Sequence, residues 1–136
     1  ALRMREHSSN AEKVAEYLSN HDSVERVSYP SLMDGYAKDR AEKYLTRGNG
    51  GLMGFEVKGG RDAGEKFINS LEMVYHVANI GDSRSLAIHP GSTTHSQLNE
   101  EELLAAGITP GYVRLSIGLE HVDDIIADFE QALSKI

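Results

Sequence analysis

Neither cysteine nor tryptophan occurs anywhere in the 136 residues. The absence of cysteine excludes a disulfide scaffold, a thiolate zinc site and a cysteine nucleophile. The apolar runs are short, so the sequence predicts no membrane-spanning segment, and the charged N-terminal stretch does not have the pattern of a signal peptide. Basic residues are outnumbered, with 14 Lys and Arg against 21 Asp and Glu. This balance argues against a nucleic-acid-binding protein, which needs a basic surface.

The remaining composition is that of an ordinary globular domain, with 40% hydrophobic and 26% charged residues. The length suits a single domain over residues 1–136. The first residue is Ala1 and not Met, so we expect the sequence to be a piece of a longer polypeptide.

The apolar spacing predicts four or five helices mixed with four or five strands. The predicted helices cover 1–20, 37–45 and 100–106, with two more amphipathic helices around Phe67 and Phe129; the predicted strands cover 24–29, 52–58 and 112–117, with short extended pieces at 75–79 and 83–89. The predicted fold class is therefore α+β, with helices laid against a small, mainly antiparallel sheet of about four strands.

Charge is unevenly distributed, and this draws attention to one arginine. Residues 99–136 contain eight acidic side chains but only Arg114 and Lys135 as basic ones. Side chains alternate along the strand 112–117, so Val113 faces the core and Arg114 faces the opposite side. Arginine is the side chain best suited to bidentate carboxylate recognition. Two interpretations stay open from the pattern alone: an anion site, or an ordinary ion pair with a nearby acid.

Other candidate sites are weaker. His76, His89, His95 and His121 have no metal-binding spacing, so no metal site is predicted. The glycine-rich segment 48–51 lacks the lysine of a phosphate-binding loop and precedes a strand, which is typical of a turn.

Two long stretches resemble the C-terminal domain of the Cys/Met-metabolism family of pyridoxal-phosphate enzymes. The first, 76–98, contains Ala-Asn-Ile-Gly-Asp and Ser-Thr-Thr-His-Ser-Gln-Leu, and the second, 106–128, contains Tyr-Val-Arg-Leu-Ser-Ile-Gly-Leu-Glu. Further similarity at 5–18 and 58–67 extends the resemblance over essentially the whole chain. The Ala-Asn-Ile-Gly-Asp motif is most similar to the O-acetylhomoserine sulfhydrylase (homocysteine synthase) branch. Methionine γ-lyases and the cystathionine lyases or synthases usually have Ser-Leu-Gly at that place.

The resemblance implies the small domain of a fold-type I transferase that uses pyridoxal phosphate. That enzyme would make homocysteine or methionine from O-acetylhomoserine and sulfide or a thiol, by γ-replacement on a small amino-acid substrate in the cytoplasm. By position in the family's motifs, Arg114 would grip the substrate α-carboxylate and Asn79 would lie beside the substrate and the cofactor lysine. Thr94 would line the active-site entrance. The full-length enzyme would be a homotetramer.

The catalytic and cofactor-binding groups are not expected within these residues. In the family the cofactor lysine follows a serine by three positions, and none of the six lysines here has Ser or Thr three residues before it. The resemblance therefore implies a large cofactor-binding domain upstream, and we expect residues 1–136 to be inactive alone. Two alternatives stay open: a methionine γ-lyase or a cystathionine γ-synthase or lyase of the same family, and a stand-alone carboxylate-binding module that uses Arg114.

Overall fold

A computed structural model describes residues 1–136, which form five α-helices and five β-strands. The helices are α1 (Leu2–Ser19), α2 (Gly35–Tyr44), α3 (Gly60–Ser70), α4 (Glu100–Ala105) and α5 (Val122–Leu133). The strands are β1 (Val24–Ser28), β2 (Leu52–Val57), β3 (Tyr75–His76), β4 (Leu86–Ile88) and β5 (Tyr112–Ser116). Single 3₁₀ turns occur at Pro30–Leu32 and Pro90–Ser92.

The strands form one mixed sheet in the order β1-β2-β5-β4-β3. Every neighbouring pair is antiparallel except β3 and β4, which run parallel over two residues. The predicted α+β class and mainly antiparallel sheet are confirmed, and the five strands are at the upper end of the four or five that the sequence predicted. The longest strand, β2, and the neighbouring β5 lie inside the sheet, so each is hydrogen-bonded to another strand along both of its edges.

The core lies on one face of the sheet, beneath three helices. Helices α1 and α3 contact strand β2, and both also contact α5. Alternate residues of the two inner strands supply the sheet side of this core, as the period of two predicts. Phe55 meets Phe67 of α3 edge-on at 5.3 Å, and Phe67 meets Phe129 of α5 at 5.8 Å between ring centroids. These three rings therefore join β2, α3 and α5 into one packed unit.

A buried carboxylate fixes the entry to strand β3. Asp128 of α5 is 7% exposed, and it accepts hydrogen bonds from the main-chain N–H groups of Glu72 (2.9 Å), Met73 (3.0 Å) and Val74 (2.9 Å). Gln131 donates a further bond of 3.0 Å from Nε2. A buried charge that satisfies three main-chain donors ties the end of α3 to α5.

Candidate functional site

Strand β5 places Arg114 on the sheet face that the core helices leave open. Its register partners are Gly54 of β2 and Ile88 of β4. The neighbouring Val113 and Leu115 are fully buried in the core, whereas Arg114 is only partly buried. The alternation that the sequence predicts for this strand is therefore confirmed.

The guanidinium of Arg114 binds main-chain oxygens of the loop between β3 and β4. Its Nη2 donates to the carbonyl oxygens of Ala78 at 2.7 Å and of Asn79 at 3.5 Å. No acidic side chain lies within 4.0 Å of it, since the five contacts between basic and acidic side chains in the structure involve other residues. The interpretation of Arg114 as one half of an ordinary surface ion pair is therefore wrong.

Arg114 has N–H donors that make no hydrogen bond within the structure and are available to a ligand. Its Nη1 and Nε make no hydrogen bond, while Nη2 makes the two bonds to the loop. A guanidinium presents five N–H donors in a planar fork, so the unused donors suffice for a bidentate carboxylate. The arrangement can bind a small anion through charge-assisted hydrogen bonds without first breaking a salt bridge.

Tyr112 and Gly54 lie next to Arg114 in the sheet. The Tyr112 phenol lies directly over Gly54, where a Cβ atom would collide with the ring. Burial raises the pKa of Tyr112, and the positive charge of Arg114 opposes that rise. Tyr112 is therefore a neutral phenol next to the cation at physiological pH, and it does not compete as an anion for the guanidinium.

The loop between β3 and β4, which Arg114 contacts, ends in a turn at residues 82–84. Asp82 accepts hydrogen bonds from the Arg84 N–H at 3.0 Å and from the Ser83 hydroxyl at 3.3 Å. The main-chain bond from Arg84 lowers the pKa of the Asp82 carboxyl, so it stays ionised in the turn. The Arg84 guanidinium stacks 4.6 Å above the Tyr75 ring and connects the turn back to β3.

The structure brings together two of the three predicted site residues. Asn79 contacts Arg114 through its main-chain oxygen, and its exposed side chain makes no hydrogen bond. Thr94 is also exposed, and its hydroxyl pairs with His95 Nδ1 at 2.9 Å. No hydrogen bond joins Thr94 to Arg114 or Asn79. The Ala78 carbonyl cannot be predicted as a partner of Arg114, because every residue carries a carbonyl and the sequence contains no signal for this one.

Two further observations concern other kinds of site. No group of three or more His, Asp or Glu side chains is arranged to hold a metal ion. No helix is both long and apolar enough to cross a bilayer.

Comparison with known proteins gives concordant matches over the chain. The family model described as Cys/Met metabolism PLP-dependent enzyme matches residues 1–134. An O-acetyl-L-homoserine sulfhydrylase of Leptospira meyeri is 54% identical over 99% of this chain and 31% of its own length. An L-methionine gamma-lyase of Fusobacterium nucleatum subsp. polymorphum is 47% identical over 99% of this chain and 34% of its own.

A solved structure matches the fold as well as the sequence. The chain superposes with a TM-score of 0.89 and 46% identity on a Campylobacter jejuni protein solved with N'-pyridoxyl-lysine-5'-monophosphate, covering 98% of this chain and 32% of that one. The chain thus spans about a third of the length of the relatives that it matches.

Proposed function

The chain belongs to the Cys/Met metabolism family of pyridoxal-phosphate-dependent enzymes, and from that premise we propose that it is the substrate-binding C-terminal part of an O-acetylhomoserine sulfhydrylase. The enzyme replaces the acetate on Cγ of O-acetylhomoserine by sulfide or a thiol and forms homocysteine or methionine. The proposal rests on relatives that span three times the length of this chain, so it concerns the whole polypeptide of which these residues are a part.

The proposal rests mainly on the hydrogen bonds and the unpaired charge of Arg114. A partly buried guanidinium on a rigid inner strand, bound only to main-chain carbonyls, is prepared for an α-carboxylate. Its charge has no acidic partner in the structure, so a bound carboxylate would supply the missing negative charge. Asn79 follows Ala78 in the same loop, and its exposed side-chain amide makes no hydrogen bond within the structure.

These residues bind and orient the substrate, and the cofactor is held elsewhere. Pyridoxal phosphate, when bound, supplies the electron sink for chemistry at the amino acid's carbons. None of the six lysines has Ser or Thr three residues before it, and the chain spans only about a third of the length of its relatives. We therefore assign the cofactor lysine to a large domain outside residues 1–136, and these residues alone are inactive.

The test is the reaction of the full-length protein loaded with pyridoxal phosphate. Purified enzyme is incubated with O-acetylhomoserine and sulfide, and homocysteine is measured by thiol derivatisation and chromatography. Formation of homocysteine that requires both substrates supports the proposal. Absence of homocysteine in a preparation whose absorbance shows bound cofactor would overturn it.

A second function is favoured by the similarity to the L-methionine gamma-lyase. A lyase would convert L-methionine and water into methanethiol, a keto acid and ammonia, without needing sulfide. The same preparation is therefore assayed for ammonia with L-methionine as the only substrate. A larger kcat/KM in that assay than in the homocysteine assay would assign the protein to the lyases.

Assembly and location belong to the same proposal. The full-length enzyme is a homotetramer in the cytoplasm and binds no nucleic acid. Light scattering coupled to size exclusion gives the mass of the assembled holoenzyme, and a monomer would contradict the proposed tetramer.

A further inference from the structure

The loop that receives Arg114 is fixed at a second point by Ser116. The main-chain N–H of Gly81 donates to Ser116 Oγ at 2.9 Å, and the Gly81 carbonyl accepts a bond of 3.3 Å from Arg3 Nη2 of helix α1. Gly81 has a φ of +74°, a conformation that glycine adopts without strain. Both polar groups of one loop residue are therefore held by side chains of the domain.

Ser116 and Arg114 hold the same short loop from the same strand face. They are two residues apart on β5, so their side chains point in the same direction. Arg114 binds the carbonyl of Ala78, and Ser116 binds the N–H of Gly81, with Asn79 between the two attachment points. The position of the Ala78 and Asn79 carbonyls thus depends on the Ser116 bond, and the position of the guanidinium depends on those carbonyls.

Burial makes Ser116 the stronger of the two attachments at Gly81. Ser116 is 4% exposed, whereas the Arg3 bond lies at the surface, where water competes with it. A hydroxyl held inside the sheet has a defined direction, so it determines where the loop lies. The loop itself is exposed from Ala78 to Arg84, and nothing else described in the structure bonds the Gly81 N–H.

We propose that Ser116 is a positioning residue for carboxylate recognition by Arg114, acting through the Gly81 main chain. The inference rests on the proposed function, since it takes Arg114 as the carboxylate-binding residue. Without the Ser116 hydroxyl, water replaces it at the exposed Gly81 N–H and the loop keeps its fold but not its position. The guanidinium then samples more orientations, and binding a carboxylate has to restrict them.

The experiment compares Ser116→Ala with the parent in the full-length holoenzyme. L-homoserine is the probe, because it carries the α-carboxylate but no ester leaving group, and its Kd is measured from the change in cofactor absorbance. We expect Ser116→Ala to raise this Kd and the KM for O-acetylhomoserine about fivefold, the factor for one net hydrogen bond of about 1 kcal/mol. The kcat is expected to change by less than about twofold, because the hydroxyl does not touch the reacting atoms.

A double-mutant cycle separates positioning from a general structural effect. In an Arg114→Ala background, Ser116→Ala is expected to change the Kd by less than about twofold, since the group on which it acts is gone. Ser116→Thr keeps the hydroxyl and is expected to restore the parent Kd. Ser85→Ala is the matched control: it removes another buried hydroxyl, which bonds Gly118 and Glu120 and not the loop 78–81, so the Kd should not change.

An unchanged Kd in Ser116→Ala would overturn the inference, and so would a rise that persists in the Arg114→Ala background. Failure of the parent holoenzyme to bind L-homoserine would overturn it as well, together with the carboxylate site. If L-homoserine binds with the expected dependence on Ser116 but no homocysteine forms, the positioning role stands and only the proposed reaction is wrong.

Discussion

Arg114 Nη2 lies 2.7 Å from the carbonyl oxygen of Ala78, and this bond replaces the ion pair that an arginine in an acidic segment would ordinarily form. A carbonyl oxygen fixes the direction of a guanidinium without cancelling its charge. The arginine therefore keeps a full positive charge on the open face of the sheet. This combination of fixed geometry and uncompensated charge is what a carboxylate-binding residue requires.

Replacing Arg114 by alanine tests this directly in the full-length holoenzyme. Loss of two charge-assisted hydrogen bonds, worth about 1.5 to 3 kcal/mol each, is expected to lower kcat/KM for O-acetylhomoserine by about 100-fold or more. Because the side chain is only partly buried and lies outside the core, the melting temperature should change little. The measurement is steady-state kinetics together with calorimetry.

Arg61→Ala is the matched control for that variant. Arg61 lies on α3 and pairs with Glu65 at 3.0 Å on the exposed surface, so its loss removes the same charge without affecting the site. A comparable loss of kcat/KM in both variants would show that net charge, and not the position of Arg114, governs binding.

Asp128 is predicted to be a stability residue and not a site residue. Its replacement by alanine leaves three main-chain donors, at Glu72, Met73 and Val74, without their acceptor. We expect the free energy of unfolding to fall by about 3 kcal/mol, because each buried unsatisfied donor costs about 1 to 3 kcal/mol and water reaches the partly exposed ones. Denaturant titration measures this. Asp124→Ala, an exposed acid on the same helix, should have an effect below about 0.5 kcal/mol.

For Gly64→Ala, helix propensity alone predicts the wrong sign of the change in stability. Alanine in a helix interior normally stabilises by about 1 kcal/mol relative to glycine. A Cβ at Gly64, however, would lie 2.6 Å from His89 Nε2. His89 is fully buried and is held by the Pro110 carbonyl at 2.7 Å and the Ser92 hydroxyl at 2.8 Å. It has no room to retreat, so Gly64→Ala should destabilise by about 2 kcal/mol.

Asn69→Ala serves as the comparison on the same helix. Asn69 is exposed, so the substitution changes helix propensity alone and should stabilise by about 0.5 kcal/mol. If Gly64→Ala stabilises to the same extent as Asn69→Ala in denaturant titrations, the packing of His89 against α3 is contradicted.

The sequence predicts the parts of this molecule that follow from periodicity. The alternation along 112–117 identifies both the core residues and the direction of Arg114, because a central strand exposes its two faces to different surroundings. The parallel pairing of β3 with β4 leaves no such pattern, since two residues are too few to show a period. The role of Asp128 is also hidden, because its partners lie more than 50 residues away in sequence.

The candidate site can also be predicted from the sequence only in part. Arg114 is found from its strand and its resemblance to a family motif, whereas its partners are main-chain oxygens that no residue type signals. Alternation puts Ser116 on the same face of β5 as Arg114, but its bond to Gly81 depends on how the loop folds over the strand. In this site the charged side chain can be predicted from the sequence, and its main-chain partners cannot.

Alkaline pH is expected to destabilise the fold through buried phenols. Tyr29 is fully buried and donates to the Gly50 carbonyl at 2.8 Å; burial, with a smaller contribution from the charge of Glu12, raises its pKa. In the unfolded chain a tyrosine ionises at a pH of about 10. Above that pH the unfolded state releases a proton that the folded state keeps, so stability falls as pH rises from there towards the folded pKa.

Tyr29→Phe separates this titration from the hydrogen bond. At pH 7 the variant should be less stable by about 1 kcal/mol, because the bond to Gly50 is lost. Above a pH of about 10 it should lose stability less steeply than the parent, since position 29 no longer titrates. Tyr17, whose pKa is also raised by burial and by its bond to Glu130, continues to contribute a slope in both proteins. Denaturant titrations at a series of pH values measure the difference, and parallel curves for variant and parent would show that the Tyr29 phenol ionises equally in both states.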